Sequence, residues 1–257
     1  MSILKLISNT RQEGRKQLAV LIDPDKTDDS KLKQIALLGA DNKVDYFFVG
    51  GSLLVNNGLD NCIKTIKDLS GIPVVLFPGN TLQMSYRADA MLFLSLISGR
   101  NPEMLIGRHV VAAPYLKLSN VEVIGTGYML VESGKPTAVS YMSNSSPIPA
   151  DKDDIAMCTA MAGEMLGLKL IFMDAGSGAI HPVSASMIQH VSQSIDIPLI
   201  VGGGISTPEL AQKSAVAGAD VIVIGNIVEK KPTVIAEIAS ALRDVRVTNK
   251  PHSNLNL

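Results

Sequence analysis

The stretch KLIFMDAGSG at residues 169–178 shows the pattern that decides the fold, a short apolar run followed directly by glycines. The pattern recurs as PLIVGGG at residues 198–204 and as VIVIGN at residues 221–226. Short apolar runs bounded by turn residues are typical of strands that are buried on both faces of a parallel sheet. We therefore predict three parallel strands in this part of the chain, each with a glycine loop at its carboxyl end.

Five more runs of this type occur nearer the amino terminus. Together the runs predict eight strands, at residues 18–22, 44–49, 73–77, 90–96, 121–125, 169–173, 198–201 and 221–224. Helical periodicity occupies most of the segments between them, at residues 30–38, 60–69, 102–111, 153–166, 208–217 and 232–242. Eight parallel strands alternating with helices in about 250 residues are typical of a (β/α)8 or TIM barrel. We expect an α/β fold in which residues 1–257 form a single barrel domain.

Four segments depart from this alternation. Residues 81–88 leave room for only two helical turns after the third strand. Residues 126–151 predict a hairpin or a long loop after the fifth strand, because ESGKP at 132–136 separates two short apolar runs. We also expect a short amino-terminal extension and a frayed carboxyl-terminal tail from about residue 245.

The composition excludes several classes of protein. The chain has 23 basic and 24 acidic side chains and a net charge of -1, which gives no basic footprint for nucleic acid. Its two cysteines cannot form a disulfide framework, and no apolar run approaches the ~20 residues that span a bilayer. The apolar opening is interrupted by Lys5 and lacks the features of a signal peptide. We expect a cytoplasmic protein, with peripheral membrane contact left open.

The glycine loops after the last three strands predict an anion site. Active sites of such barrels form at the carboxyl ends of the strands, and the loops after strands seven and eight frequently bind phosphate. Glycine lets several backbone N–H groups approach one anion. Each loop taken alone could be only a turn, since glycine is the default turn residue. Three such loops on one rim favour phosphate binding.

A cation site is predicted on the same rim. Asp23 follows the first strand, and Ser52 follows the second. One carboxylate and one hydroxyl suit Mg²⁺, which takes few protein ligands and completes its shell with water and substrate phosphate oxygens. Asp23 in an Asp-Pro turn could equally have a local structural role. The neighbouring Gly50-Gly51-Ser52 favours the metal site.

The chain resembles the geranylgeranylglyceryl phosphate synthases and their relatives, the PcrB-type heptaprenylglyceryl phosphate synthases. The resemblance runs from about residue 18 to residue 243. The stretches that carry it are LIDPDK at 21–26, FVGGS at 48–52, VLFPGN at 75–80, SGRNP at 98–102, GYMLVE at 127–132, FMDAGSG at 172–178, VGGG at 201–204 and VIGN at 223–226.

The resemblance implies a modified TIM barrel that joins sn-glycerol 1-phosphate to a polyprenyl diphosphate. It implies that Asp23 and Ser52 bind Mg²⁺, in agreement with the reading of the rim given above. It also implies a glycerol phosphate site formed by Phe172, Met173, Asp174, Ala175, Gly176, Ser177, Gly178, Gly203, Gly204, Gly225 and Asn226. Members of the family form homo-oligomers, either dimers or hexamers.

One departure from the family concerns the carboxylate of the glycerol phosphate loop. The family loop begins Tyr-Leu-Glu, whereas this chain has Phe172-Met173-Asp174, with a side chain one methylene shorter. Asp174 is the candidate to orient or deprotonate the glycerol 3-hydroxyl. A purely structural role, in which Asp174 binds loop N–H groups, remains open.

The prenyl chain requires a long apolar groove. We expect it on the side of strands three to five, where Leu94, Leu96, Ile97 and Met104 cluster, although all four could simply belong to the core. Geranylgeranyl is the preferred chain and heptaprenyl the alternative. Two other functions remain: an isomerase acting on a phosphorylated sugar, and a barrel retained without catalysis as a binding or scaffold protein.

Overall fold

The computed structural model describes residues 2–246, in which eight parallel strands form a closed barrel in sequence order. The barrel closes where β1 pairs with β8, with Gln17 opposite Val221. The TIM barrel is therefore confirmed. Its strands are β1 (Gln17–Ile22), β2 (Tyr46–Val49), β3 (Val74–Leu76), β4 (Ala90–Leu96), β5 (Glu122–Leu130), β6 (Leu170–Asp174), β7 (Leu199–Gly202) and β8 (Val221–Ile224).

Helices surround this barrel, and all six predicted helices are present within a few residues of their predicted bounds. A π-helical turn at Glu103–Gly107 leads into the fourth helix. The helices are α1 (Ile3–Gln12), α2 (Asp29–Asp41), α3 (Leu59–Ser70), α4 (Arg108–Lys117), α5 (Ala138–Ser143), α6 (Asp153–Met165), α7 (Ala185–Ser192), α8 (Pro208–Val216), α9 (Asn226–Lys230) and α10 (Val234–Arg243). In residues 2–246 no helix combines the length and the apolarity needed to cross a membrane.

The core has two layers because most of the strands are buried on both faces. On β6, Leu170 and Phe172 point into the barrel, whereas Ile171 and Met173 pack outward against the helices. Successive side chains of a strand point to opposite faces, so a continuous apolar run fills both layers at once. This is why the strands could be recognised from unbroken apolar runs.

The amino-terminal segment is a helix rather than a simple extension. Ser2 caps α1, and Ile3 and Ile7 pack against the inner layer of the barrel. Glu122 of β5 accepts a hydrogen bond from the backbone N–H of Ile3 at 2.5 Å, and Gln17 Nε2 donates to the carbonyl of Ile7 at 3.2 Å. The helix therefore covers the amino-terminal end of the barrel.

The short helix expected at residues 81–88 does not form. Instead, this segment is a loop that is held by the side chain of Gln83. The Oε1 atom of Gln83 accepts hydrogen bonds from the N–H groups of Gly51 and Gly79, and its Nε2 atom donates to the carbonyl of Gly51 at 2.7 Å. Gln83 thereby fastens the β3–β4 loop to the end of β2. Without a helix at this point, the outer face of β4 is left open on one side.

Of the hairpin or long loop expected after the fifth strand, the hairpin does not form. Strand β5 continues to Leu130, and residues 138–143 form helix α5, which Thr137 and Ser140 begin with a capping box. The prediction ended the strand at Gly125 because two glycines interrupt the apolar run. Gly127 is in fact a packing site, since a Cβ there would lie 2.8 Å from Cδ1 of Ile97.

The ends of the chain and the cysteines complete the comparison with the sequence. Val245 is buried, and Arg246 forms an isolated antiparallel bridge with Arg15. The rest of the expected frayed tail, residues 247–257, lies outside the described residues. Cys62 and Cys158 are free, as expected.

Candidate active site

The three glycine loops meet on one rim of the barrel. Gly203 has a φ of +79°, and a Cβ at this position would lie 2.5 Å from Oδ1 of Asp174 and 2.7 Å from the backbone nitrogens of Ala175 and Gly176. Only glycine allows the β7 loop to approach the β6 loop this closely. The two loops therefore meet at one point, on the rim where the sequence predicts an anion site.

The third loop joins them through a side-chain contact. Ser177 Oγ donates a hydrogen bond to Oδ1 of Asn226 at 3.1 Å, which connects the β6 loop to the beginning of α9. Gly178 adopts a φ of +73° beside the same asparagine, and Gly204 adopts a φ of +73° in the β7 loop. Gly225 leads directly from β8 into α9. The structure therefore brings the predicted loop residues from 174 to 178 together with those at 203, 204, 225 and 226.

Two residues of the predicted substrate site do not present their side chains to this rim. Phe172 is buried in the inner layer, and Met173 is buried in the outer layer. Their side chains hold β6 in the barrel, so they place the loop rather than contact a ligand bound on it. The assignment of Phe172 and Met173 to the glycerol phosphate site stays a prediction, and any contact they make would be through the backbone.

Asp174 is buried beneath the loops and is held by two donors. The Tyr128 hydroxyl donates to Oδ2 at 2.6 Å, and the backbone N–H of Gly176 donates to Oδ1 at 2.7 Å. Burial raises the pKa of Asp174, and these two hydrogen bonds oppose the shift. Burial and the adjacent Asp174 charge raise the pKa of Tyr128 well above its usual value, so the phenol stays protonated and remains a donor.

Tyr128 is the site residue that sequence reasoning missed. The tyrosine lies within the GYMLVE stretch of the resemblance, but it received no role there. One signal was available: Tyr128 precedes the carboxyl end of β5, next to β6, on the rim where the active site was expected. Its ring packs with Phe77 and Phe172, with centroids 6.0 and 5.7 Å away.

The predicted metal residues are close to one another. Asp23 Oδ1 accepts from the N–H of Asp25 at 3.1 Å, and its Oδ2 pairs with Lys26 Nζ at 2.6 Å. A Cβ at Gly51, the residue before Ser52, would lie 3.2 Å from the same Oδ2. The end of β1 and the loop after β2 are therefore in contact, and their oxygen donors are of the hard type that Mg²⁺ prefers.

This oxygen set is sparse. In the part of the chain that the structure describes, no group of three or more His, Cys, Asp or Glu side chains could hold a metal ion. A transition-metal centre of the usual kind needs such a group. A site with one carboxylate and one hydroxyl fits a cation that shares its coordination shell with substrate phosphates.

An apolar groove begins at Ser52 and reaches both faces of β4, with Met91 and Phe93 from the outer layer and Leu94 and Leu96 from the inner layer. Its cavity volume is about 130 Å³. Leu94, Leu96 and Met104 line it as predicted. Ile97 does not, because it packs in the outer layer between β5 and α6, near Gly127 and Gly163. The other apolar lining residues are Phe77, Pro78, Met84, Met91, Phe93, Ala112, Tyr128, Val139 and Met142.

One polar ring in the groove is adapted to apolar surroundings. His109 of α4 stands edge-on to Phe93, with ring centroids 4.3 Å apart. Burial lowers the pKa of His109, so its imidazole is neutral near pH 7. The groove therefore gains no positive charge from this histidine.

The groove and the glycine loops share one residue. Tyr128 lines the groove with its ring and bonds Asp174 of the loop with its hydroxyl. Ser52, beside the candidate cation site, lines the groove as well. An apolar chain, a small phosphate and a cation could thus be held with their reactive ends next to one another.

Similar solved structures share the barrel in detail. The (S)-3-O-geranylgeranylglyceryl phosphate synthase of Thermoplasma acidophilum, in complex with its substrate sn-glycerol-1-phosphate, is 32% identical with a TM-score of 0.90. The match covers 95% of this chain and 100% of that chain. Tryptophan synthase of Mycobacterium tuberculosis, 12% identical with a TM-score of 0.60, shares the fold alone.

Curated relatives extend the similarity over most of the sequence. The geranylgeranylglyceryl phosphate synthase of Chitinophaga pinensis is 56% identical over 232 residues, covering 90% of this chain and 92% of the relative. That of Pyrococcus horikoshii is 41% identical and covers 85% of each chain. The profile of the PcrB family matches residues 11–242, and the chain belongs to this family.

Proposed function

We propose that the chain is a Mg²⁺-dependent prenyltransferase that joins sn-glycerol 1-phosphate to geranylgeranyl diphosphate. The 3-hydroxyl oxygen of the glycerol forms an ether bond with the first carbon of the prenyl chain, and the bond from that carbon to diphosphate breaks. The observation that carries the proposal is the meeting of the apolar groove and the glycine loops at Tyr128 and Asp174. The Thermoplasma structure with bound sn-glycerol-1-phosphate supports the same small substrate.

The glycine loops suit the phosphate end of the glycerol substrate. The N–H groups of Ala175 and Gly176 are already bonded, to the carbonyl of Gly202 and to Asp174 Oδ1, so the next amides of the β6 loop and those of the β7 loop would bind the phosphate. Ser177 and Asn226 add polar side chains at the edge. Several fixed N–H donors around one anion form the type of site that phosphate-binding barrels place on this rim. The three-carbon glycerol then extends from the phosphate toward the neighbouring carboxylate.

The groove suits the prenyl chain because the β3–β4 helix of a regular barrel is absent. The loop held by Gln83 leaves one side of β4 open. Met84, Met91 and Phe93 line this open side, and α4 covers the other side. A site lined by methionine and aromatic side chains accommodates flexible branched hydrocarbon. The groove therefore provides the apolar surface that a long isoprenoid requires.

Asp174 is positioned to accept the proton of the glycerol hydroxyl. Its pKa is raised by burial, which brings its basicity closer to the range in which general bases work near neutral pH. Tyr128 and Gly176 hold both carboxylate oxygens, so the carboxylate cannot rotate freely. The proton leaves the hydroxyl as the ether bond forms, and the carboxylate receives it.

The aromatic side chains at the head of the groove suit the charge that develops on the prenyl carbon. Phe77 stacks on Phe172 with ring centroids 5.1 Å apart, and Phe77 and Tyr128 both line the groove. Aromatic faces attract cations, and their effect is greatest where water is excluded. Their position beside the departing diphosphate favours an allylic cation-like transition state.

Asp23 and Ser52 would hold Mg²⁺ beside the diphosphate. When bound there, Mg²⁺ would supply positive charge to the leaving diphosphate. The oxygen donors present fit this role, and Lys26 at 2.6 Å from Asp23 shows that the carboxylate can pair with a positive charge at this point. Ser52 lies where the groove begins, which places the cation site next to the reacting end of the prenyl substrate.

We also propose a homo-oligomer, either a dimer or a hexamer. Five apolar side chains around α4 are each more than half exposed, which favours their burial in an assembly. They are Ile106, Val110, Val111, Tyr115 and Leu118. Light scattering measures the oligomeric state directly, and a monomer at micromolar concentration would contradict this assignment. A cytoplasmic location and peripheral membrane contact remain predictions.

A product assay tests the activity. Purified protein is incubated with glycerol 1-phosphate, Mg²⁺ and labelled prenyl diphosphates of several lengths, and the lipid products are separated. We expect an ether product with the geranylgeranyl substrate, and turnover that chelation of Mg²⁺ abolishes. A preference for the heptaprenyl substrate would replace geranylgeranyl diphosphate as the proposed prenyl substrate. The absence of product with every chain length would favour a phosphosugar isomerase or a barrel without catalysis.

A further inference from the structure

The segment between β5 and α5 lies against the glycine loop that follows β6. The carbonyl of Ser133 accepts hydrogen bonds from the N–H groups of Ile180 and His181 at 3.2 and 3.3 Å. A Cβ at Gly176 would lie 2.7 Å from Cγ2 of Thr137. Residues 133–137 therefore contact the β6 loop at both of their ends.

The backbone of this segment is fixed between these contacts. Ser133 is buried, and its hydroxyl donates to the carbonyl of Lys135 at 3.4 Å. Gly134 adopts a φ of +86°, and Thr137 is held by the capping box of α5. Lys135 thus extends from a defined position, although its side chain is exposed.

The ammonium group of Lys135 reaches the anion site. Its Nζ lies 3.7 Å from the place that a Cβ would take at Gly178, and Nδ2 of Asn226 lies 3.6 Å from the same place. Across the described residues 2–246, no carboxylate lies within ion-pair distance of this ammonium. A lysine without an acidic partner, fixed beside a cluster of glycine amides, suits a phosphate.

We propose that Lys135 binds the phosphate of glycerol 1-phosphate through Nζ, an inference that rests on the function proposed above. The β6 and β7 loops contribute neutral N–H donors, while the buried Asp174 places negative charge close to them. A phosphate bound there carries up to two negative charges that repel this carboxylate. The ammonium offsets that repulsion from the open side of the site, so it raises affinity for the dianion.

Direct binding of glycerol 1-phosphate tests the proposal without any need for turnover. Isothermal titration of the full chain with glycerol 1-phosphate, in the absence of prenyl substrate, gives Kd for the wild type, Lys135→Met and Lys135→Arg. We expect Kd to rise roughly 10- to 100-fold in Lys135→Met, the range for a lost hydrogen bond to a charged group. Lys135→Arg retains most of the affinity because the positive charge remains.

Lys64→Met is the matched control. Lys64 is an exposed lysine on α3 that pairs with Asp68 at 3.2 Å. Its replacement removes the same charge from the molecule and leaves the phosphate site untouched, so we expect an unchanged Kd. Equal losses in Lys135→Met and Lys64→Met would show a general charge effect and overturn the proposal, as would an unchanged Kd in Lys135→Met with a wild-type circular dichroism spectrum.

Two further outcomes separate this proposal from the proposed function. If wild type binds glycerol 1-phosphate but forms no ether product, the transfer activity is wrong, and the titrations still decide the role of Lys135. If the KM for prenyl diphosphate rises in Lys135→Met while Kd for glycerol 1-phosphate stays constant, Lys135 serves the leaving group and the proposal is overturned.

Discussion

The Tyr128 hydroxyl and the Asp174 carboxylate form a buried hydrogen bond of 2.6 Å that joins β5 to β6. Tyrosine lines the groove and aspartate supports the glycine loop, so this one bond connects the two halves of the site. A donor to the charged carboxylate stabilises its ionised form, whereas burial favours the protonated form. The balance between the two sets the pH at which Asp174 can act as a base.

Tyr128→Phe removes the donor and retains the ring. The pKa of Asp174 should then rise further, because burial is no longer opposed by the phenol. Since catalysis requires the ionised carboxylate, the acidic limb of the kcat/KM profile moves to higher pH, and activity near pH 7 falls about tenfold. An unchanged pH profile in Tyr128→Phe would show that Asp174 does not act as the base.

Asp174→Asn keeps the shape of the side chain and removes its basicity. We expect kcat to fall by roughly 10²- to 10⁴-fold, the usual contribution of a general base. Kd for glycerol 1-phosphate should change much less, because the loop amides still bind the phosphate. If kcat is retained and only stability falls, Asp174 has the structural role that the sequence left open.

Asp23→Ala should abolish Mg²⁺-dependent turnover and leave the fold intact. Asp23 is buried but its partner Lys26 is half-exposed and can turn to water when the carboxylate is removed, so we expect a loss of about 1–2 kcal/mol of stability. The variant should therefore melt within a few degrees of wild type and still bind glycerol 1-phosphate. Asp68→Ala, which breaks an exposed pair with Lys64, is the control. Wild-type turnover in Asp23→Ala would remove Asp23 from the site.

Gly203→Ala should raise the KM for glycerol 1-phosphate strongly. The new methyl group would meet Asp174 Oδ1 at 2.5 Å and the amides of the β6 loop at 2.7 Å, so that loop must move. Gly167→Ala separates this contact from backbone strain: Gly167 has a φ of +89°, but a Cβ there meets no atom within 4 Å. Both variants should lose stability, and only Gly203→Ala should lose affinity. Equal KM values in the two variants would argue against a substrate site at the β7 loop.

Ala112→Phe should shorten the longest prenyl chain that the protein accepts. Ala112 is buried in α4 and lines the groove, so a phenyl ring there fills space that the chain would use. Product analysis with prenyl diphosphates of increasing length shows the change, while the KM for glycerol 1-phosphate should stay constant. The neighbouring Ala113→Phe places the same ring on the exposed side of the helix and should leave chain length unaffected. If wild type and Ala112→Phe form products of the same chain lengths, the prenyl chain binds elsewhere.

The eight strands could be predicted because most of them are buried on both faces, which makes their sequences short and largely unbroken apolar runs. The end of β5 could not, since Gly125 and Gly127 resemble turn residues until Ile97 and Leu168 are seen to pack against them. The missing helix at 81–88 depends on Gln83, whose partners Gly51 and Gly79 come from two different loops.

Only part of the candidate site could be predicted from the sequence. The glycine loops and Asp23 were found because glycine and aspartate directly after a strand are local signals. Tyr128 and Lys135 could not be predicted because their partners are distant in sequence. Tyr128 bonds a residue 46 positions away. Lys135 approaches Gly178 only because the β5–α5 segment lies against the β6 loop. Such contacts depend on the closed barrel rather than on any short pattern.

The loop held by Gln83 leaves β4 without a helix on the side that faces β3, whereas α4 covers its other side. A hydrocarbon chain bound on Met91 and Phe93 would cover this open side, so the bound lipid would take the place of the missing helix. Ligands that bind only the folded state raise its resistance to heat. We therefore expect the protein to unfold at a higher temperature when a prenyl chain is bound, and at a lower temperature once the product has been released.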